Sequence, residues 1–331
     1  LKVAKEVGAD AIHPGYGFLS ENAEFAKQVR SAGMHFIGPS PDWIERMADK
    51  VEARKLMKSA GVPTFPGSGQ ITNEKEAREF VSENGLPVIV KPSGGGGGIG
   101  MKVVFDESEL GEAISNASDM AEKFFSNGSV YLERWIEDSR HVEFQILADL
   151  EGNVMHLFER DCSVQRRNQK LIEEAPAFGI DRAECKNLAD RLVGTVSKLG
   201  YDNLGTIETL RSSSGEYGFL EMNTRIQVEH GVTEEVTGAD LVAAQIRLAA
   251  GEGLPEMTDL DGFAVEARVY AEDPVSLMPS TGKLRVFRPP KLYGVRVETG
   301  FQEGQTITPY YDALLAKLIA KGRTREQAIG R

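Results

Sequence analysis

Apolar and polar positions recur along this chain with two periods. Three- and four-residue spacing predicts helices at the opening LKVAKEVGADAI, at AEFAKQVRSAG (23–33), NEKEAREFVSENG (73–85), ESELGEAISNASDMAEKFF (107–125) and near 182–199. Alternation or short β-rich runs predict strands at ADAIHP (9–14), MHFIGP (34–39), LPVIVKP (86–92), MKVVF (101–105) and SVYLERWI (129–136). Further strands are expected at HVEFQILAD (141–149), VMHLFERD (154–161), GTIETLRSS (205–213), YGFLEMNTRI (217–226) and GFAVEARVYAED (262–273). A charged helical stretch fills 41–61 and closes at Gly61-Val62-Pro63. The first 135 residues therefore read as a βαβ-type layer, the charged helical stretch and a compact unit from about 64 to 135. Beyond it, the short polar turns DLEGN and SSSGEY join strands into an antiparallel sheet. The fold class expected is mixed α/β (α+β).

The chain has 331 residues, enough for two or three domains. Its net charge of -12 argues against a general nucleic-acid binder, which needs cations to neutralise phosphates. No apolar run approaches the roughly 18 residues of a membrane span. Cys162 and Cys185 cannot build a disulfide framework, which fits a reducing compartment: the cytoplasm, or the mitochondrial matrix in a eukaryote. The chain starts and stops inside helical patterns, so a piece of a longer protein is expected.

In such an acidic chain, local groups of cations carry information. Lys91 precedes five glycines, Gly94–Gly98, set between two strand patterns. A flexible linker is one reading. The flanking strands favour a hairpin tip whose amides can approach phosphates, with Lys91 adding charge. Neither a dinucleotide fingerprint nor a P-loop fits, because a strand follows and no Gly-Lys-Ser/Thr is present.

A second group lies in FLEMNTRIQVEHGVTEEVTG (219–238). Read as a strand, it turns Glu221 and Asn223 to one face, with Arg225 and Gln227 beyond them. A hairpin would set Glu208 beside Glu221, giving hard oxygen donors suited to Mg²⁺. Arg225 and Glu229 read as an anion clamp with a candidate base. The alternative is a solvated edge face. A third group, FERDCSVQRRNQKLIEEAP (158–176), gathers Arg160, Arg166, Arg167 and Lys170, either as a surface patch or as a ligand site. Cys162 reads as a buried small residue rather than a nucleophile. The histidines show no metal-ligand spacing; His141 fits either packing or a ribose contact.

Together with HPGYGFLSENA (13–23), MADKVEARKLMKSAGVP (47–63), KPSGGGGGIGM (91–101), YLERWIEDSRHVEFQILAD (131–149), EMNTRIQVEH (221–230) and YYDALLAKLI (310–319), these stretches resemble the biotin carboxylase family of the ATP-grasp superfamily. The resemblance spans the chain. It implies an ATP-grasp fold in which Mg-ATP (or Mn-ATP) turns bicarbonate into carboxyphosphate, whose CO₂ carboxylates N1′ of biotin on a separate carrier domain. It implies ATP contacts at Lys50, Lys91, Gly95, Gly96, Gly97, Gly98, Met101, Glu133, Arg134, Ile136, His141 and Gln165, and a metal set of Glu208, Glu221 and Asn223. Bicarbonate would meet Lys170, Arg225, Gln227, Val228 and Glu229, with Glu229 as base; Tyr16 and Arg296 would meet biotin.

The resemblance further implies a remnant of the N-terminal domain at 1–46, a helical linker at 47–63, a lid domain at 64–135, an ATP-grasp core at 136–260 and a truncated C-terminal domain at 261–331. Expected partners are a biotin carboxyl carrier, a carboxyltransferase and a second copy in a homodimer. Three residues depart from the family pattern: Asn168 stands for histidine, Ile99 for a basic residue and Gly231 for proline, as in urea-carboxylase-type members. No biotin attachment motif is present, and impaired catalysis by the shortened chain is expected. A carbamoyl-phosphate synthetase-like ligase and a non-catalytic ATP-binding fragment are the alternatives.

Overall fold

Local capping delimits the helices. Asn22, Asp49, Asn73, Asp181 and Asp240 each accept a backbone N–H from the first turn of the helix that follows. The computed structural model describes residues 1–94, 98–256 and 259–331. Gly95, Gly96 and Gly97 therefore lie outside the described residues.

The N-terminal segment holds α1 (Lys2–Glu6), β1 (Ala11–Ile12), α2 (Ala23–Ser31) and β2 (His35–Phe36), with β1 and β2 parallel as the βαβ reading requires. The predicted 41–61 helix is two helices, α3 (Pro41–Ala48) and α4 (Lys50–Ser59), because Asp49 leaves helical geometry to cap the second.

Next come β3 (Gly67–Ile71), α5 (Glu74–Asn84), β4 (Val88–Pro92), β5 (Lys102–Val104), α6 (Leu110–Phe125) and β6 (Val130–Arg134). Their strands form a four-stranded sheet in the order β3-β6-β4-β5, and β4 and β5 pair antiparallel as the arms of the expected glycine hairpin. Val88, Val90, Val130 and Leu132 face α5 and α6 and form a core with Phe80 and Leu110. Strand alternation turns Lys91, Tyr131 and Glu133 to the other side.

An eight-stranded antiparallel sheet dominates the rest. It uses β7 (Arg140–Ala148), β8 (Val154–Arg166), β9 (Gln169–Ala175), β10 (Asn203–Arg211), β11 (Tyr217–Asn223) and β12 (Phe263–Tyr270). After the short β13 (Gly282–Lys283) it is completed by β14 (Val295–Glu298) and, beyond β15 (Thr306–Ile307), by β16 (Leu314–Gly322). The order is β11-β10-β7-β8-β9-β12-β16-β14, so residues before and after position 261 share one sheet through the β9–β12 pair. The remaining helices are α7 (Arg182–Leu199), α8 (His230–Thr237), α9 (Leu241–Ala249) and α10 (Arg325–Gly330).

Two expectations fail here. Strand β9 lies in QKLIEEA, where no strand is expected, and joins β8 through a two-residue turn with Arg167 and Asn168 both at positive φ (52° and 64°). That is the backbone a tight hairpin demands, and Asn tolerates it well. The other strand read through Arg225 ends at Asn223; 224–229 is a loop, and Glu229 occupies the N-cap position of α8.

The alternation of β7 sets up everything that follows. Val142, Phe144, Ile146 and Ala148 pack with Cys185, Leu188, Leu192 and Val196 of α7 in the main core. The intervening His141, Glu143 and Gln145 therefore face the opposite side, and they too are buried.

Candidate active site

Charged residues fill this second face in a row. Glu221 on β11 is in register with Glu208 on β10, Glu208 with Glu143 on β7, and Glu143 with Arg160 on β8. Neighbouring carboxylates repel and lose solvation on burial, so cations must reach them. Three do so.

Arg160 is fully buried. It donates to Glu143 (2.6 Å), Gln145 (2.8 Å), Thr233 (2.9 Å), Gln227 (2.5 Å) and Thr206 (3.3 Å). Lys170, entering from β9, donates to Glu143 (2.6 Å), Glu208 (2.9 Å) and Glu229 (2.6 Å). Burial opposes its charge, but these carboxylates outweigh burial and hold the ammonium well above its usual range. Conversely, Lys170 and Arg160 keep Glu143 far below the ordinary carboxylate range despite burial, and Lys170 with His141 does the same for Glu208. Lys50 reaches Glu221 from the start of α4; burial and nearby Lys91 bring it down to about 8.

The 223–229 loop closes the cluster. Asn223 and Gln227 donate to Glu208 (2.8 and 2.7 Å), and Arg225 donates to Asn223 (2.6 Å). Arg225 also binds Glu21 (2.8 Å), tying the N-terminal segment to the site. His141 lies 2.9 Å from Glu208 as an ion pair and is raised to about 9, because that carboxylate prevails over burial. Gln165 is 3.1 Å from His141 Nδ1.

Above this floor, Lys91 pairs with Glu133 at 2.5 Å and Arg54 pairs with Glu133 at 2.8 Å. Arg54 also holds the Phe65 and Phe219 carbonyls, so one guanidinium joins α4, β6 and β11. The hairpin arm is tied down where the Lys50 amide donates to the Ser93 carbonyl at 2.8 Å. Gly98 rests on Asn168: a Cβ there would meet the Asn168 side chain at 2.7 Å. Met101 directly precedes the second arm, and Arg134 and Ile136 line a cavity of about 950 Å³ with Pro63, Phe65 and Tyr217.

Arg296 sits on β14, outside the carboxylate row. It pairs with Glu234 (2.7 Å) and Glu298 and lines a cavity of about 650 Å³ with His230. Lys317 on β16 joins it to the row, pairing with Glu298 (2.6 Å) and donating to the Val228 carbonyl. Tyr16 is exposed, in the loop that also carries Glu21.

Sequence reasoning missed Glu143, Arg268, Lys317 and Glu21. For Glu143, Arg268 and Lys317 the only signal is an isolated charge inside an apolar strand, as in HVEFQIL, FAVEARVY and LLAKLI; Glu21, in a loop, carries no such signal. Of the four cations grouped earlier, Arg160 and Lys170 turn inward, Arg166 pairs with Glu272 at 2.6 Å and Arg167 is exposed, so the four do not form one surface patch among the described residues. Cys162 is buried, and burial pushes its thiol well up, as expected of a packing residue. His141, without metal-like spacing in sequence, is brought within 4.8 Å of Glu143 and Glu208. Gly231 faces Ile319, whose Cδ1 would lie 2.3 Å from any Cβ.

The family models match in chain order: Biotin carboxylase, N-terminal domain, over residues 1–44; Carbamoyl-phosphate synthase L chain, ATP binding domain, over 49–257; and Biotin carboxylase C-terminal domain over 266–331. The chain belongs to the biotin carboxylase family. The biotin carboxylase of Halalkalibacterium halodurans is 49% identical over 335 residues, 100% of this chain and 74% of that protein. The biotin carboxylase domain dimer of Hydrogenobacter thermophilus 2-oxoglutarate carboxylase, solved with MgADP, ADP and bicarbonate, superposes with a TM-score of 0.97 at 46% identity, covering 100% of this chain and 74% of that one. Campylobacter jejuni biotin carboxylase, solved with a nucleotide, has a TM-score of 0.97 at 41% identity, covering 99% and 74%. The fold is thus ATP-grasp with flanking biotin carboxylase segments. The two flanking matches set it apart from carbamoyl-phosphate synthases, with which it shares the central ATP-binding model. Among the described residues, no helix is long and apolar enough to cross a membrane.

Proposed function

We propose that this chain activates bicarbonate with Mg-ATP and carboxylates biotin presented by a carrier domain, as the biotin carboxylase component of a biotin-dependent carboxylase. The observation that carries this reading is the convergence of Lys170, Arg225, Gln227 and Glu229 with Glu208 and Asn223 in one hydrogen-bonded cluster.

Glu208, Glu221 and Asn223 supply hard oxygens from adjacent strands, a donor set that fits Mg²⁺ or Mn²⁺. The ion would neutralise charge on the ATP phosphates. Lys50, Lys91 and Gly98 bind the phosphates, with Gly95, Gly96, Gly97 and Met101 completing the lid. Glu133, Arg134, Ile136, His141 and Gln165 hold the rest of the nucleotide. Lys170, Arg225, Gln227 and the Val228 backbone hold bicarbonate, and Glu229 accepts its proton as an oxygen attacks the γ-phosphorus and ADP leaves. Carboxyphosphate, a labile anion, is protected by fixed cations and by lid closure that excludes water. It divides into CO₂ and phosphate; the phosphate takes the N1′ proton of biotin, and N1′ forms its new bond to the CO₂ carbon. Arg296 and Tyr16 serve the biotin side.

In this reading, 1–46 belongs to the N-terminal biotin carboxylase domain, 47–63 is a linker, 64–135 the lid, 136–260 the core and 261–331 the C-terminal domain. A carboxyl carrier, a carboxyltransferase and a second copy are the partners, and the cytoplasm or mitochondrial matrix the setting. The test is bicarbonate-dependent ATP cleavage by the full-length protein, stimulated by free biotin and abolished in Glu229→Gln. Turnover that requires ammonia and ignores biotin would overturn it.

A further inference from the structure

Glu229 is gripped from two strands. Lys170 of β9 donates to its Oε1 at 2.6 Å, and Arg268 of β12 donates to its Oε2 at 2.9 Å. Although Glu229 stands at the N-cap of α8, its carboxylate makes no capping bond there. The helix therefore leaves its direction free, and the two cations fix it. Arg268 is buried and itself anchored, with Nε on Glu173 Oε1 at 2.6 Å. Its planar fork spans both carboxylates at once, a geometry a lysine cannot copy.

We propose that Arg268 is a positioning residue for Glu229, holding the base carboxylate in its reactive direction from the C-terminal part of the chain. The inference rests on the assignment of Glu229 as base. A guanidinium does not release its proton, so Arg268 is neither base nor relay; it acts through where Glu229 points and how readily it ionises.

The charged and titratable groups facing Glu229 are Glu143 on β7, Arg160 and Cys162 on β8, Lys170 and Glu173 on β9, Glu266 and Arg268 on β12, and Arg225 on the loop. Burial and Glu143 raise the Glu229 pKa, while Lys170, Arg268 and Arg160 lower it, and the net direction is down. Loss of Arg268 must then move the acid limb of the pH profile to higher pH.

The test compares Arg268→Gln, Arg268→Lys and Glu229→Gln in the full-length enzyme, reading bicarbonate-dependent ATP cleavage against pH. For Arg268→Gln, kcat/KM for bicarbonate is expected to fall about tenfold to a hundredfold, the scale of a misplaced reacting group, while KM for ATP stays within about twofold. The acid limb rises by about half a pH unit or more. Arg268→Lys restores the limb but not the full rate. An unmoved limb, with bicarbonate and ATP parameters impaired alike, overturns the proposal. If Arg268→Gln does not fold, Arg268→Lys decides: a lowered kcat/KM for bicarbonate at an unmoved limb supports the proposal, and the parent's full rate overturns it. Activity retained by Glu229→Gln would instead overturn the base assignment itself, which separates the two failures.

Discussion

Glu208 and Glu221 stand opposite each other on adjacent strands, and the β10–β11 register slips immediately after Glu208. Each carboxylate carries its own lysine, Lys170 on Glu208 and Lys50 on Glu221. A bulge of this kind re-aims side chains, here at the place where two acids must converge rather than diverge. If the pair holds the divalent ion of ATP, Glu221→Gln should weaken Mg²⁺-dependent ATP binding by roughly 10–100-fold, the range seen when metal-site partners are removed. Calorimetric titration of ATP with and without Mg²⁺ measures this, and an unchanged Mg²⁺ requirement would remove Glu221 from the metal set.

Arg160 should matter for stability more than its distance from the surface suggests. Its removal leaves Glu143 Oε1 without its donor in the interior, with Lys170 remaining on Oε2, and losing one partner of a buried ion pair costs about 3–5 kcal/mol. Arg160→Met is therefore expected to lower the urea midpoint strongly. A loss under about 1 kcal/mol would mean that Lys170 alone can satisfy Glu143.

Glu266 predicts a pH effect with a definite sign. Both its oxygens are buried without a hydrogen-bond partner among the described residues, Lys317 is 3.8 Å away, and burial holds the carboxyl well above its ordinary value of 4.5. A folded-state pKa raised above the unfolded one gives stability that is full below about 4.5 and declines as pH climbs toward the folded value. Glu266→Gln, isosteric and uncharged, should escape that decline. Its advantage over the parent should grow by about 1.4 kcal/mol per pH unit above pH 5. Parallel pH profiles for the two proteins would show Glu266 to be ionised in the fold.

Gly98 offers a test of the lid. It adopts φ +74° and leaves no room for a Cβ against Asn168. Gly98→Ala should raise KM for ATP about tenfold, consistent with 1–2 kcal/mol of strain on the seated hairpin. Urea unfolding should be nearly unaffected, since the loop contributes little core. Unchanged ATP kinetics would show that the hairpin does not seat on Asn168 during turnover.

Much of this was legible beforehand. Period-two alternation in GTIETL and FLEMN placed Glu208 and Glu221 side by side, and the hairpin around the glycines followed from its flanking strands. The alternation continued through TRIQVEH, and there it misled: a loop entering a helix can carry the same pattern as a strand when its apolar residues, such as Ile226, are packed by tertiary contacts. Strand β9 escaped notice because its turn, Arg167-Asn168, contains no glycine. Glu143 and Arg268 were invisible for a different reason. Whether a lone charge in an apolar strand is buried depends on partners such as Arg160 and Glu229, which sequence spacing cannot supply.

Lys317 bridges the Val228 carbonyl and Glu298, which in turn grips Arg296. On the proposed assignment, these are opposite walls of two different substrate chambers. One ammonium then ties the hydrogencarbonate side to the vitamin side, through the Val228 backbone on one hand and the Glu298 carboxylate on the other.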